Sequence, residues 1–160
     1  MGLFDSFNIN ASGLTAQRYR MDVIAQNVAN ANTTRTEDGT PYKRKVVTFE
    51  EKNGKSPSFS TVFGRETDRF RSNGVKVSGT YEDSSEGNMV YDPDHPDADE
   101  NGYVTYPNVN IIQEMTDLID ASRSYEANAT AFNASKQIAS QGLTMGSLSL
   151  IHISEPTRPY

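Results

Sequence analysis

Cysteine and tryptophan are both absent from this 160-residue sequence, and aromatic residues make up only 9 % of it. The lack of cysteine excludes disulfides, thiolate catalysis and zinc–thiolate sites together. With 35 % hydrophobic residues, the chain has few side chains from which to build a core for a domain of this length. We therefore expect that the apolar surface buried within one subunit is too small to stabilise the subunit on its own.

Positive charge is also scarce, since the net charge is -6. This balance argues against a nucleic-acid partner, because neutralising phosphates requires a clustered basic surplus. The short basic runs, at 43–45 and at Arg65, Arg69 and Arg71, are expected to be solvated strand or loop faces. The start, MGLFDSFNINASGL, lacks a basic segment followed by an apolar run, so we expect neither a cleaved signal peptide nor a membrane anchor there.

Few residues suggest a site for chemistry. The stretch Asp97-Ala-Asp99-Glu-Asn101-Gly102 matches the first half of a calcium loop, but Asn108 stands where the bidentate glutamate belongs. We expect an acidic surface turn there, with calcium binding as the alternative. His95 has no serine or cysteine elbow to activate and is expected in a surface loop. Glycine-rich phosphate loops are absent too, so the sequence predicts no catalytic residue, no metal site, no cofactor and no small-molecule substrate.

Apolar residues at helical spacing mark both ends of the chain. Phe7, Leu14, Met21 and Val28 recur every seven residues, with Ile24, Ala25 and Ala31 at neighbouring positions, which is typical of a coiled-coil stripe. A second stripe recurs every three or four residues, at Ile111, Met115, Leu118, Tyr125, Ala129, Phe132, Ala139 and Leu143. It predicts a long helix from about Asn110 to Gln141, with Asn110 and Gln113 as a capping box and Gly142 as its stop.

Between the helices the pattern changes to short β-branched and aromatic runs separated by turn-forming residues. The runs are YKRKVVTFEE (42–51), FSTVFG (59–64), GVKVSGTYED (74–83), NMVYDP (88–93) and YVTYP (103–107). The predicted fold is therefore α+β, with long N- and C-terminal helices pairing as a coiled coil and a small inserted β domain. We place the boundaries at 1–34 for the N-terminal axial helix, 35–107 for the insert and 108–147 for the C-terminal axial helix.

The length of the helices bears on function. A helix of roughly 30 residues is about 45 Å long, more than an insert of about 70 residues can cover, and each large apolar side chain left in water forgoes about 1.5–3 kcal/mol. The helices must therefore find partners. Small and amide side chains beside the stripes favour close helix neighbours, with Asn27, Asn30 and Asn32 fixing one register through hydrogen bonds. Alternatively, these asparagines simply face solvent.

The last residues, LSLIHISEPTRPY (148–160), break the helical pattern and resemble a translated sequencing adapter. We expect them to be a non-native tail. The alternative is a genuine short strand through Ile151 and Ile153.

Taken together, these motifs resemble the family of bacterial flagellar rod and hook proteins. The segments that carry the N-terminal signature are NASGL (10–14), AQ (16–17), RMDVIA (20–25) and NVANANTT (27–34). Three later segments are similar to the proximal-rod members of that family: GTPYKRKVVTFEE (39–51), MVYDPDHPDADENGYVTYPNVN (89–110) and EMTDLIDASRSYEANATAFNASKQ (114–137). The resemblance covers residues 2–146, and members of the family end soon after a segment like Leu143–Gly146.

The resemblance implies a non-enzymatic structural subunit of the basal-body rod, which crosses the periplasm. Its implied partners are copies of itself and other rod subunits in a helical tube, together with the flagellar export apparatus that passes it out without a cleaved signal. Our candidate polymer-interface residues are Leu14, Met21, Ile24, Asn27, Val28, Asn30, Asn32, Leu118, Tyr125 and Phe132. The alternatives are a distal-rod subunit or a soluble calcium-responsive module.

Overall fold

In the computed structural model, two long helices stand at the two ends of the chain and four strands lie between them in sequence. The structure describes the backbone of residues 3–52 and 74–153, and the side chains of residues 5–52 and 74–145. In chain order the elements are α1 (Leu3–Ala29), β1 (Lys45–Glu51), β2 (Val75–Glu82), β3 (Asn88–Tyr91), β4 (Tyr103–Tyr106) and α2 (Ile111–Ile153). The predicted α+β class, with terminal helices and strands between them, is confirmed.

The two helices pack side by side and run in opposite directions. Three contacts set the register: the Phe7 and Phe132 ring centroids lie 5.2 Å apart, Arg20 Nη2 lies 3.6 Å from Asp117 Oδ1, and Asn27 Nδ2 lies 3.0 Å from Glu114 Oε2. Residues later in α1 thus contact residues earlier in α2, as expected for antiparallel helices. At Gly13 the approach is close, because a Cβ there would lie 2.9 Å from Asn128 Nδ2.

The predicted seven-residue stripe of α1 lies in this contact only at Phe7, which meets Phe132. Gly13, Arg20 and Asn27 face α2 at the same seven-residue spacing, one residue ahead of Leu14, Met21 and Val28. The most buried apolar residues of α1 and the turn after it are Ala16, Val23, Ile24 and Ala31, whereas Leu14, Met21 and Val28 are half-buried and Ala25 is exposed. An apolar pattern cannot mark contact positions that are held by glycine, arginine and asparagine.

The N-terminus of α2 is capped as predicted, since Asn110 Oδ1 accepts hydrogen bonds from the amides of Ile112 (3.0 Å) and Gln113 (3.3 Å). The predicted end is wrong, because α2 passes through Gly142 and continues to Ile153. A helical glycine costs about 1 kcal/mol relative to alanine, which does not end a helix on its own. The backbone at 151–153 is also helical, which rules out the strand alternative for that stretch.

The four described strands form two antiparallel pairs rather than one sheet. β1 pairs with β2 with a bulge between Thr48 and Phe49, and β3 pairs with β4 from Asn88↔Tyr106 to Tyr91↔Tyr103. Four of the five predicted strand regions are confirmed, and FSTVFG at 59–64 lies outside the described residues. Each described strand therefore has one edge without a strand partner among the described residues.

Side chains of α1 form hydrogen bonds to β2, in the β1–β2 pair. The Ser12 hydroxyl accepts a hydrogen bond from the Val75 amide (3.0 Å), and the Tyr19 and Thr80 hydroxyls lie 2.9 Å apart. Gly74 precedes Val75 with φ +79 and lies against Ser12 so closely that no Cβ would fit. Because a left-handed backbone conformation also favours glycine, this residue fixes where β2 meets α1.

Candidate assembly interface

Asn27 lies at the centre of a polar cluster that joins α1, β1 and α2, and its side chain is 1 % exposed. Its Nδ2 donates to the Lys45 carbonyl (2.9 Å) and to Glu114 Oε2 (3.0 Å). Its Oδ1 accepts from the Lys45 amide (2.9 Å) and from the Tyr42 hydroxyl (2.9 Å). All the hydrogen-bonding capacity of this amide is used inside the chain, so Asn27 sets the register of its own helices.

Glu114 is the charged member of the cluster and is 1 % exposed. Arg44 Nε donates to its Oε1 at 2.6 Å, and Arg44 Nη2 lies 3.7 Å from Asp117 Oδ2. A buried carboxylate is tolerated when it is paired and hydrogen-bonded. The prediction that the basic run 43–45 is a solvated face is therefore wrong for Arg44, which neutralises Glu114.

The Tyr42 hydroxyl reports the electrostatics of this cluster. Burial raises its pKa above the ordinary value, and the nearby carboxylates of Glu114 and Glu82 raise the pKa further. Each of these causes disfavours a phenolate, since an anion would lose water and face negative charge. Tyr42 therefore remains a hydrogen-bond donor to Asn27 at neutral pH.

The predicted interface residues fall into three groups by exposure. Ile24 and Asn27 are buried within the subunit, while Asn32 and Tyr125 are exposed. The half-buried residues are Leu14, Met21, Val28, Asn30, Leu118 and Phe132. Asn30 and Asn32 lie in the turn after α1, where Asn30 Oδ1 accepts from the Thr33 hydroxyl (3.2 Å). The structure thus brings Ile24 and Asn27 into the core of one chain and leaves the other residues on or near the surface.

A second apolar stripe on α2 faces away from α1. Ile112, Met115 and Ile119 are 78 %, 55 % and 51 % exposed. At about 100° per residue, they lie about 140° around the helix from Glu114 and Ala121, which are buried. Sequence reasoning placed Met115 on the same face as Leu118, and Ile112 and Ile119 were missed. Their spacing of three and four residues is the signal that could have revealed this separate stripe.

The end of α2 extends beyond α1. Because Phe132 lies opposite Phe7 and α1 begins at Leu3, α2 passes the end of α1 about one turn after Phe132. Ile138, Leu143 and Met145 follow, and they are 64 %, 78 % and 69 % exposed. No charged residue occurs between 137 and 145. We call residues 137–145 the α2 overhang.

The acidic turn after β3 is held by contacts within the chain. Asp97 accepts from the Thr34 hydroxyl (2.8 Å) and lies 3.6 Å from Arg35 Nη1, while Asp99 Oδ1 accepts from the amides of Asn101 and Tyr103 (both 2.8 Å). Among the described residues, no group of three or more histidine, aspartate or glutamate side chains is arranged to hold a metal ion. His95 is half-buried in this loop, and its Nδ1 accepts from the Asp97 amide (3.1 Å).

In the part of the chain that the structure describes, neither helix combines the length and the apolar character needed to cross a membrane.

Comparison with known proteins assigns the chain to a family. Residues 7–35 match the family described as "Flagella basal body rod protein", and residues 100–145 match "Flagellar basal body rod FlgEFG protein C-terminal". These two matches cover most of α1 and the first 35 residues of α2. The helices that form the antiparallel pair are therefore the parts shared with the wider rod family.

Several curated proteins are similar to nearly the whole chain. The "Flagellar basal-body rod protein FlgC" of Bacillus subtilis is 46 % identical over 152 residues, which span 91 % of this chain and 99 % of the relative. The proteins of the same name from Borreliella burgdorferi and Salmonella typhimurium are 44 % and 38 % identical, again over 91 % of this chain, and they are covered to 98 % and 99 %. The chain therefore belongs to the FlgC family of flagellar basal-body rod proteins.

Proposed function

We propose that this chain is a structural subunit of the proximal part of the basal-body rod and that it polymerises through its terminal helices. The observation that carries this proposal is the apolar surface that the helix pair leaves uncovered. The stripe at Ile112, Met115 and Ile119 and the α2 overhang are both exposed in the single chain. Neighbouring helices would cover these surfaces and thereby form a coiled-coil wall around the axis of the rod.

The magnitude of this burial favours assembly. Removing one large apolar side chain from water contributes about 1.5–3 kcal/mol, and α2 alone exposes six such side chains in the stripe and the overhang. Even if each contact between subunits recovers only a fraction of this free energy, the contributions add up over the many contacts of a polymer. Within each subunit, the buried cluster around Asn27 and Glu114 ties the helices to the insert, so torque on one element would pass to the others.

The proposed partners are copies of this chain, other rod subunits and the flagellar export apparatus. The proposed location is the basal body, where the rod crosses the periplasm, with export occurring without a cleaved signal peptide. The absence of cysteine supports this location, because no unintended disulfide can form in an oxidising compartment. We propose no catalytic, cofactor-binding or nucleic-acid-binding role.

The proposal is tested by placing a charge in the exposed stripe. Ile119→Asp should abolish rod assembly and swimming when it replaces the native protein, because a carboxylate would be buried without a partner. Since Ile119 is 51 % exposed in the single chain, the circular dichroism and solubility of the purified variant should remain close to those of the parent.

Gln113→Glu is the matched control, since it adds the same charge near the start of α2 on an exposed position away from the stripe. It should leave swimming intact. Normal swimming by cells that carry Ile119→Asp would refute assembly through this stripe. Isolation of basal bodies from both strains would show directly whether the rod is present.

We also propose that residues 148–160 lie outside the functional protein. The relatives are matched over 98–99 % of their length while 91 % of this chain is used, and the C-terminal family match ends at residue 145. Peptide mapping by mass spectrometry of the protein from its own cells should recover no peptide with this sequence. Recovery of such a peptide would contradict the proposal.

A further inference from the structure

The start of α2 turns its more apolar side toward solvent. Glu114 and Asp117 face α1, whereas the exposed stripe lies on the other side of the helix and consists of Ile112, Met115 and Ile119. Removal of apolar surface from water favours the reverse orientation, in which the stripe faces inward. Another interaction must therefore hold α2 in the observed orientation.

A cavity of about 240 Å³ lies beside the inner side of α2. Its apolar lining comes from α1 and β1 and consists of Val23, Ile24, Val46, Val47 and Phe49. The side chains that α2 contributes to the lining are the carboxylates of Glu114 and Asp117. An apolar space thus meets charged groups of α2, while the apolar stripe of the same helix remains in water.

Ion pairs between α2 and the rest of the chain hold this arrangement. Arg44 Nε donates to Glu114 Oε1 at 2.6 Å, and Arg44 Nη2 lies 3.7 Å from Asp117 Oδ2. Arg20 of α1 lies 3.6 Å from Asp117 Oδ1. Of the two carboxylates, Glu114 is the one that is almost fully buried, at 1 % exposure, so its pairing with Arg44 matters most.

The backbone of Arg44 is fixed where β1 pairs with β2. Its carbonyl accepts from the Asp83 amide (2.7 Å), directly after β2, and its amide donates to Asn108 Oδ1 (3.0 Å). The guanidinium therefore reaches α2 from a defined position. A buried carboxylate without a cation is strongly unfavourable, so loss of the Arg44 side chain would drive Glu114 toward water.

We propose that Arg44 sets the rotation of α2 about its own axis and thereby keeps the apolar stripe turned outward. Without this cation, α2 would turn by about 100–140°, which is the angle from Glu114 to Met115 and Ile119 at about 100° per residue. Glu114 would then reach solvent. Met115 and Ile119 would fill the cavity between α1 and β1.

This inference deepens the proposed function and rests on it, because the stripe is the surface through which neighbouring helices are proposed to assemble. A chain without the Arg44 contact would cover its stripe with its own cavity. The Phe7–Phe132 contact also favours the observed rotation, but it lies about 27 Å along α2 from Glu114. The insert, through Arg44, would thus control whether the start of α2 presents an assembly surface.

Oxidation of methionine by dilute hydrogen peroxide measures the rotation in the full-length, monomeric chain. Met115 lies in the stripe, and Met145, 69 % exposed on the overhang of the same helix, is the internal reference. In Arg44→Leu, the oxidation rate of Met115 relative to Met145 should fall at least fivefold from its value in the parent, because the thioether becomes buried. The helical content from circular dichroism should be unchanged.

The double variant Arg44→Leu/Glu114→Leu is the matched control, since it removes the buried carboxylate together with its cation. Replacing a buried ion pair by apolar side chains is often neutral for stability. The inner side of α2 is then apolar as well, and the contacts of Arg20 and Phe132 remain. The relative oxidation rate of Met115 should therefore return to the parent value.

Three results would overturn the proposal. Unchanged oxidation of Met115 in Arg44→Leu would show that other contacts fix the rotation. Faster oxidation, or a loss of helical content, would show that the start of α2 detaches or unfolds instead of turning. Failure of the double variant to regain the parent rate would show that the carboxylate does not drive the rotation. Each result leaves the proposed function standing, because that proposal fails only if cells carrying Ile119→Asp assemble a rod and swim.

Discussion

Asn27 and Glu114 show what single residues contribute to this fold. Asn27 joins α1 to the backbone of Lys45 and to Glu114, and Arg44 neutralises the buried carboxylate. The sequence suggested that Asn27 fixes a register, because a polar residue within an apolar helix pattern often does so. Its partners could not be predicted, since Arg44 stands in a run of basic residues and Glu114 in the first turn of a helix, where an acidic residue is common.

Replacing Asn27 with aspartate should destabilise the isolated chain strongly. Asn27→Asp removes two hydrogen-bond donors and places a carboxylate beside Glu114, so the free energy of unfolding should fall by about 3 kcal/mol. Urea denaturation followed by circular dichroism measures this change. The control Asn32→Asp alters an exposed side chain and should stay within about 0.5 kcal/mol of the parent. Equal stabilities for the two variants would contradict the role given to the cluster.

The environment of Tyr42 predicts how the stability of the chain depends on pH in alkaline solution. Its pKa is raised in the folded chain by burial and by Glu114, so in alkaline solution the unfolded chain loses the phenolic proton first. The stabilising effect is complete below the ordinary tyrosine pKa, near about 10, and declines as pH rises through the folded pKa. Tyr42→Phe should therefore lose less stability than the parent between about pH 9 and 11.

Urea denaturation of the parent and of Tyr42→Phe at a series of alkaline pH values measures this difference. If the pH dependence of unfolding were the same for the parent and Tyr42→Phe, the pKa of Tyr42 would not be raised by burial and by the nearby carboxylates in the folded chain.

At the scale of elements, local chemistry predicted where most helices and strands begin. The Asn110 cap starts α2, and four strand regions were located by β-branched and aromatic runs between turn residues. Two features could not be predicted from the sequence because they depend on tertiary contacts. The seam of α1 uses Gly13, Arg20 and Asn27, and the exposed stripe of α2 lies beside a second, buried face of the same helix.

Gly142 distinguishes a continuous α2 from a helix that ends where the sequence suggested. No atom lies within 4 Å of an added Cβ, and the residue is helical, so Gly142→Ala should favour the helix by about 0.5–1 kcal/mol. Gly39→Ala should instead destabilise the chain, because Gly39 has φ +75. Helical content from circular dichroism measures the first effect, and urea denaturation measures the second. A loss of helical content in Gly142→Ala would mean that the helix ends there.

For the whole molecule, burial is concentrated at one end. Val104 and Ala121 are 1 % and 0 % exposed near the insert, whereas the apolar side chains of the overhang are 64–78 % exposed. The small supply of hydrophobic residues predicted that one chain could not cover its helices. It could not predict which surface would remain bare, since that depends on the antiparallel register and on how far α2 passes α1.

The uneven distribution of burial predicts which amides of a free subunit exchange slowly with solvent and which exchange quickly. Amides near Asn27 and Glu114 are expected to exchange slowly even in the monomer, because those helix segments pack against each other and against β1. The α2 overhang has no such support, and an isolated helix segment is marginal in water.

Hydrogen exchange of the full chain, free and within isolated basal bodies, is the most direct test of the central claim that neighbouring subunits cover the exposed helix surfaces. Amides of residues 137–145 should exchange at least 100-fold more slowly in the basal body than in the free chain, while those near Glu114 are protected in both. Equal exchange of residues 137–145 in the two states, whether fast or already slow in the free chain, would contradict the account.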